Sequence, residues 1–181
     1  NMGFQGLAAS GDRCFTLLEP GEPCGASLQV IDVSDPANPK LAGSFRLPLP
    51  TEEVVTADTL AFAGIKGGGV QVFSIADPSC IYLLGQTGDT ARVAGLDVQL
   101  PYVYATAYHG GTIFRVIDVS DPRQPTVVGS IDTFGYAHSV VVESGFAYVC
   151  ESRSLRVIDV TTPAQPEQVA RLGLPSGAFG L

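Results

Sequence analysis

One eleven-residue phrase recurs along this chain and restricts its fold more than any other feature. QVIDVSDPANP occupies residues 29–39, RVIDVSDPRQP 115–125 and RVIDVTTPAQP 156–166. Aligning LQVIDVSDP from Leu28, VQVFSIADP from Val70, FRVIDVSDP from Phe114 and LRVIDVTTP from Leu155 gives starts 42, 44 and 41 residues apart. Two further landmarks keep the same phase. LAGS, LLGQ, VVGS and QVAR follow at Leu41, Leu83, Val127 and Gln168; RCFTL, LAFAG, YVYAT and FAYVC precede at Arg13, Leu60, Tyr102 and Phe146. Self-similarity at a fixed period of this length marks a repeat architecture.

Each copy reads as four short strands separated by turn residues, and in the fourth copy these are HSVVVE, FAYVCE, SLRVIDV and EQVARLG. No segment carries a 3.6-residue apolar period long enough for a helix. Runs such as VVV and VIDV are apolar at successive positions, so both faces of each sheet are covered. A four-stranded antiparallel sheet of about 42 residues packed between copies of itself is a propeller blade. The expected fold is therefore all-β, a propeller with blades over 3–48, 49–90, 91–134 and 135–176 and the start of a further blade at 177–181. The repeated phrase is its third strand and the turn that leaves it. Asp favours the first position of a type I turn and Pro the second. Asp118 closes the strand with a carboxylate able to accept turn N–H groups, and Ser74 keeps an oxygen at the matching place.

The run LRVIDVSDPxxP, with an aromatic YVYAT-type strand before it and a VVGS-type strand after it, resembles the LVIVD repeat. That family comprises predicted β-propellers of bacteria and archaea, many exported or surface-attached. The resemblance extends over essentially the whole chain as four copies. Copy two departs most, with FSIADPSCIY in place of the IDVSDPxxP core. It implies a propeller in an extracellular, periplasmic or cell-surface setting, and it supplies no catalytic residues to transfer. SGAFGL at the end of the chain aligns with GYAHSV of copy four. Four blades suit a small closed ring, or part of a larger or partner-completed one, because an open arc would leave apolar flanks uncovered.

Composition narrows the function classes. Eighteen acidic against ten basic residues give a net charge near -8, with no basic stripe, which disfavours nucleic acid and anionic membrane surfaces. No apolar run reaches the length of about 18 residues that spans a bilayer, and the first residues lack the pattern of a secretory leader. Cys14, Cys24, Cys80 and Cys150 show no metal-type spacing. A Cys14–Cys24 bridge would need an irregular loop, since a regular hairpin centred near Gly21 sets Cys14 opposite Leu28; buried free thiols are the alternative.

Propellers bind ligands at the face where blade-to-blade loops and the loops between second and third strands meet. Both histidines, His109 and His138, fall there, with Tyr108, Tyr136, Glu151, Glu52 and Phe179 nearby. His109, His138 and Glu151 are candidates for a divalent metal or an acid/base pair, against solvated loop residues as the plain reading. Tyr108 and Tyr136 suit a recognition patch. GIKGGG at 64–69 is followed by no helix and reads as a hairpin turn rather than a phosphate loop. Asp32, Asp118 and Asp159 are spread one per blade and read as structural. Glu52 and Glu53 are candidates for one end of a cation site or a solvated acidic loop, and no serine-nucleophile motif is present. The expected function is a non-catalytic interaction or structural module, with no cofactor and with a protein partner or self-association. A hydrolase-type or metal-dependent enzyme, and a binder of small molecules or carbohydrate, are the alternatives.

Overall fold

The computed structural model describes residues 3–19, 27–47, 50–108, 110–133 and 135–175. Sixteen strands form four sheets, and the described residues contain no helix. Blade 1 holds β1 (Gly3–Ser10), β2 (Arg13–Glu19), β3 (Ser27–Asp32) and β4 (Lys40–Arg46). Blade 2 holds β5 (Thr51–Ala57), β6 (Leu60–Ile65), β7 (Gly69–Ser74) and β8 (Tyr82–Gln86). Blade 3 holds β9 (Arg92–Gln99), β10 (Tyr102–Tyr108), β11 (Thr112–Asp118) and β12 (Thr126–Thr133). Blade 4 holds β13 (Ala137–Glu143), β14 (Phe146–Glu151), β15 (Ser154–Asp159) and β16 (Glu167–Gly173). Within each blade the strands pair antiparallel in chain order.

The DP turns are built as their residues require. Asp35, Asp77 and Asp121 each accept, at the main-chain carbonyl, an N–H three residues on at 2.9–3.0 Å, and Thr162 does the same in blade 4. Just before each turn, the strand-ending Asp32, Asp118 and Asp159 take the N–H of Ser34, Ser120 and Thr161 at 2.8–2.9 Å. Side-chain and main-chain hydrogen bonds from those same residues hold the three carboxyls below their ordinary range. These aspartates do structural work. The 64–69 segment joins β6 to β7 with Gly67 and Gly69 at positive φ, a hairpin turn as its composition suggests.

One register differs from expectation. Leu17, not Cys14, lies opposite Leu28, and Cys14 faces Ile31. The hairpin is therefore centred a residue or two beyond Gly21. Cys24, and with it the Cys14–Cys24 bridge, lies outside the described residues; Cys80 and Cys150 are free thiols.

The blades stack face to face through their first strands: β1 packs on β5, β5 on β9 and β9 on β13. Three apolar clusters fill the three joints between them. Phe15, Leu17, Leu28 and Val30 of blade 1 meet Val54, Ala61, Ala63 and Phe73 of blade 2. Phe62 and Val72 then meet Leu96, Val103 and Ala105, and Tyr104, Phe114 and Val116 meet Val140, Ala147 and Val149. Among the described residues no comparable packing joins blade 4 to blade 1.

Each joint has the same logic. An aromatic at the third position of the second strand (Phe15, Phe62, Tyr104) projects against the following blade's small second-strand residues. At the rim, an outer-strand glycine admits the next turn. A Cβ on Gly43 would stand 2.0 Å from the Pro78 carbonyl oxygen, on Gly85 2.6 Å from that of Arg123, and on Gly129 2.1 Å from that of Pro163. No larger residue fits those three places without moving main chain.

Candidate functional site

All four first strands carry a β-bulge near the same end. Pairing skips from Gln5 to Leu7, Thr51 to Glu53, Val93 to Gly95 and Ala137 to Ser139. The residues left out of the ladder are Gly6, Glu52, Ala94 and His138. A bulge re-aims its extra side chain out of the alternation of the strand, and here three of the four, Glu52, Ala94 and His138, line one cavity. Its volume is about 360 Å³, and Arg92, Tyr108, Thr112 and Tyr136 complete much of its wall. The sequence places Glu52 and His138 at equivalent repeat positions, and the bulge is the physical reason that they converge.

The electrostatics of this mouth are paired off. The Arg92 guanidinium donates from Nε and Nη2 to the two Glu52 carboxylate oxygens at 3.0 Å each, a bidentate fork. Lys66 Nζ lies 3.5 Å from the same carboxylate. His138 Nε2 is 3.2 Å from the Ser152 hydroxyl, whose main-chain N–H donates to the Tyr136 carbonyl at 2.9 Å. Tyr108 and Tyr136, both exposed, stack with ring centroids 5.7 Å apart and planes 20° off parallel. The stack bridges blade 3 to the start of blade 4 and leaves the outer ring surfaces open to solvent.

The remaining candidates lie elsewhere. His109 and Phe179 are outside the described residues. Glu151 ends β14 with its side chain 1% exposed, and it does not line the mouth cavity. It accepts from Arg156 Nε at 2.7 Å and from the Ser154 hydroxyl at 2.6 Å, with Arg171 at 3.3 Å. Burial pushes its carboxyl up, but these hydrogen bonds and positive charges outweigh that and hold it below the ordinary range. Arg156 also donates to Gln168, which ties the network to β16. The sequence sets Glu151 at the end of a strand beside the mouth, and the structure keeps it there as the last residue of β14 with its side chain buried on Arg156. Among the described residues, no cluster of three His, Cys, Asp or Glu side chains is arranged to hold a metal.

Glu53 is not a solvated loop acid. It sits in β5 beside the bulge and accepts the Leu96 N–H of blade 3 at 2.9 Å. Burial, reinforced by nearby Asp97 and opposed by the Leu96 hydrogen bond, raises its pKa to about 7. Asp97 repeats the device one joint on, taking the Val142 N–H of blade 4 at 2.6 Å while Gln99 donates to the Val142 carbonyl at 2.5 Å. These carboxylates clamp blade to blade. Sequence reasoning read Glu53 as part of a cation site or a solvated acidic loop and passed over Asp97, because what either carboxylate does is decided by the neighbouring blade.

A larger cavity, about 410 Å³, lies at the opposite end between the turns of blades 1 and 2, lined by Asp12, Arg13, Asp32 and Asp58. Arg13 crosses it to donate to the Ile75 carbonyl at 3.1 Å. That contact anchors two blades and draws the one guanidinium there into structure.

Comparison with known proteins fits this geometry. The LVIVD repeat family matches residues 24–46, 102–133 and 134–172, which are parts of copies one, three and four. No curated protein matches by sequence. Among solved structures, a functionally unknown protein from Desulfotomaculum acetoxidans superposes with TM-score 0.79 at 16% identity, over 98% of this chain and 60% of the other. The β-propeller domain of Cps50 (Swd1) from Myceliophteria thermophila gives 0.71 at 12% identity, over 94% and 59%. AztD from Citrobacter koseri gives 0.65 at 16% identity, over 98% and 49%. The chain thus spans between half and three-fifths of each of these structures, and at such identities the likeness concerns fold alone.

Proposed function

Since the chain belongs to the LVIVD repeat family of β-propellers, we propose that it is a non-catalytic module of the cell surface or exported space that recognises a protein partner at its mouth. The observation that carries this reading is the Tyr108–Tyr136 stack, solvent-exposed at the rim of a cavity whose ionic groups are already matched. Tyrosine offers broad contact area at low entropic cost and a polar tip for hydrogen bonding, the profile of a binding anchor. Glu52, the acid at this mouth, is neutralised by a two-pronged guanidinium and a lysine, which suits a rigid rim better than proton transfer. The exported setting rests on the family resemblance.

The test is a photo-crosslinking residue in place of Tyr136 in cells that express the protein, combined with protease shaving of intact cells. One discrete protein adduct, suppressed by Tyr108→Ala and accompanied by cleavage from outside, supports the proposal. Absence of an adduct together with protection from the protease removes it. A second reading, capture of a carbohydrate or another small molecule, draws on the cavity itself, whose volume lies within the range of small-ligand pockets at about 300–1,000 Å³. Glycan-array binding abolished by Tyr136→Ala would favour that reading over a protein partner.

A further inference from the structure

At the mouth the acid is fully paired and the cations are not. Glu52 holds two of them: the Arg92 guanidinium forks onto both carboxylate oxygens at 3.0 Å, and Lys66 Nζ lies 3.5 Å from one. The Glu52 side chain is 20% exposed, whereas those of Arg92 and Lys66 are 50% and 52% exposed. The carboxylate therefore lies beneath, and two cations form an outer layer with one positive charge in excess. Among the described residues no neighbouring acid cancels it. Asp89, beside the 64–69 hairpin, accepts from Arg115 Nη1 and from the Ala91 N–H, each at 2.8 Å. Glu53 is taken up in the joint by the Leu96 N–H. Of the described residues that line the cavity, Glu52 is the one acid.

That excess is local, in a chain whose net charge is -8. Much of the negative charge sits at the other end of the blades. There Asp32, Asp118 and Asp159 end third strands, and Asp35, Asp77 and Asp121 begin the turns. Third strands of six or seven residues, at about 3.3 Å each, set the two ends about 20 Å apart. Exposed charges at that separation are largely screened, because the Debye length is about 8 Å at physiological salt. A group entering the mouth therefore meets the field of Arg92 and Lys66. The fork on Glu52 engages Nε and Nη2 of Arg92 and leaves the Nη1 hydrogens as donors.

We propose that the mouth seats a carboxylate of its protein partner: the recognised segment is an acidic peptide whose Asp or Glu side chain binds Arg92 and Lys66. This rests on the reading of the mouth as a protein-binding site and names the chemistry that the site selects. One excess positive charge matches a monoanion, whereas a phosphate of about -2 overshoots it. A flat carboxylate also suits the edge of a guanidinium. The exposed Tyr108–Tyr136 stack on the same rim then contacts the residues that flank the acidic side chain.

Selection of a displayed library of random short peptides on the intact protein tests this, with affinities of the selected peptides measured by fluorescence anisotropy. The expected sequences are rich in Asp and Glu. Lys66 is half exposed in a hairpin turn, so Lys66→Glu leaves the fold intact, which circular dichroism verifies. It turns the excess charge negative, should weaken a selected acidic peptide about tenfold, and should shift a repeated selection toward Lys and Arg. Tyr136→Ala separates the two levels of the argument, because every peptide seated at the mouth loses affinity in that variant. Peptides that depend on Tyr136 but show no acidic preference, or keep that preference in Lys66→Glu, overturn the carboxylate site and leave the mouth as a protein-binding surface. Tighter binding of a phosphoserine peptide than of its glutamate counterpart overturns it equally. Peptides indifferent to Tyr136→Ala, or a library from which nothing is selected, overturn both readings.

Discussion

Replacing Glu53 with Gln should remove a fall in stability that this protein shows as pH rises from about 5 through 7. Glu53 is a half-buried carboxyl in the joint between blades 2 and 3, raised from 4.5 to about 7 by burial and by Asp97. An acid whose folded pKa is raised binds its proton more tightly in the folded state. Its stabilising contribution is complete below pH 4.5 and falls away as pH climbs through 7. At about 1.4 kcal/mol per pKa unit the loss has a ceiling near 3.5 kcal/mol, and partial solvent contact brings the working figure to about 2 kcal/mol. Gln keeps an oxygen for the Leu96 N–H and carries no charge, so the variant avoids the loss. The assay is urea denaturation of both proteins at pH 5, 6, 7 and 8. Wild type and variant should differ by less than about 1 kcal/mol at pH 5, and the variant should be about 2 kcal/mol more stable at pH 8. Groups remote from Glu53 are common to both proteins and cancel in the difference. Parallel curves across the range would refute the claim that burial in the joint raises the Glu53 pKa toward neutrality.

The other predictions concern the joints, a buried ion pair and the turns. Gly129→Ala drives a methyl to 2.1 Å from the Pro163 oxygen and should cost about 3 kcal/mol or more in denaturation, whereas Gly173→Ala, with open space around it, should change stability by less than about 0.5 kcal/mol. Arg156→Met leaves Glu151 buried with only Arg171 and Ser154 and should cost about 3–5 kcal/mol, much of which the double variant with Glu151→Leu should recover in the same measurement. Asp118→Asn removes a carboxyl held below its ordinary range by Ser120. Such a group stabilises above its unfolded pKa and loses that effect as pH falls through the folded value, so the variant should show a flatter acid limb in a thermal melt series from pH 5 to pH 2.

The repeat exposed the blades because the strand–turn–strand core answers to local rules that a sequence states openly. Asp at a strand end and Pro in a turn mean the same thing whatever packs nearby. The cavity was half legible: Glu52 and His138 fall at equivalent places in the alignment, but the bulges that swing both inward leave no compositional mark. Glu151 shows the converse failure. A Glu–Ser–Arg–Ser run looks like an exposed loop, yet its first residue is the last of β14 and carries its side chain into a buried contact with Arg156. The LAGS, LLGQ and VVGS landmarks were visible as repeats, while the reason for their glycine lies in the following blade and cannot be inferred within one copy.

That division explains where the family pattern is strong and where it fades. At the rim, a backbone carbonyl pressing on an outer-strand glycine leaves almost no chemical freedom, so that glycine recurs in copies one to three, each of which is followed by a packed blade. Near the axis, the same distance between blades is held by interchangeable devices. The second joint has a Glu53 carboxyl on Leu96, and the third has Asp97 and Gln99 on Val142. Glu53 and Asp97 are not even at equivalent strand positions, being two residues apart in the alignment. Several side chains can therefore secure a first strand, and the bulged Glu52, Ala94 and His138 beside them line the mouth while differing in size and charge. A scaffold arranged in this way can change what its mouth recognises while the rim keeps its blades in register.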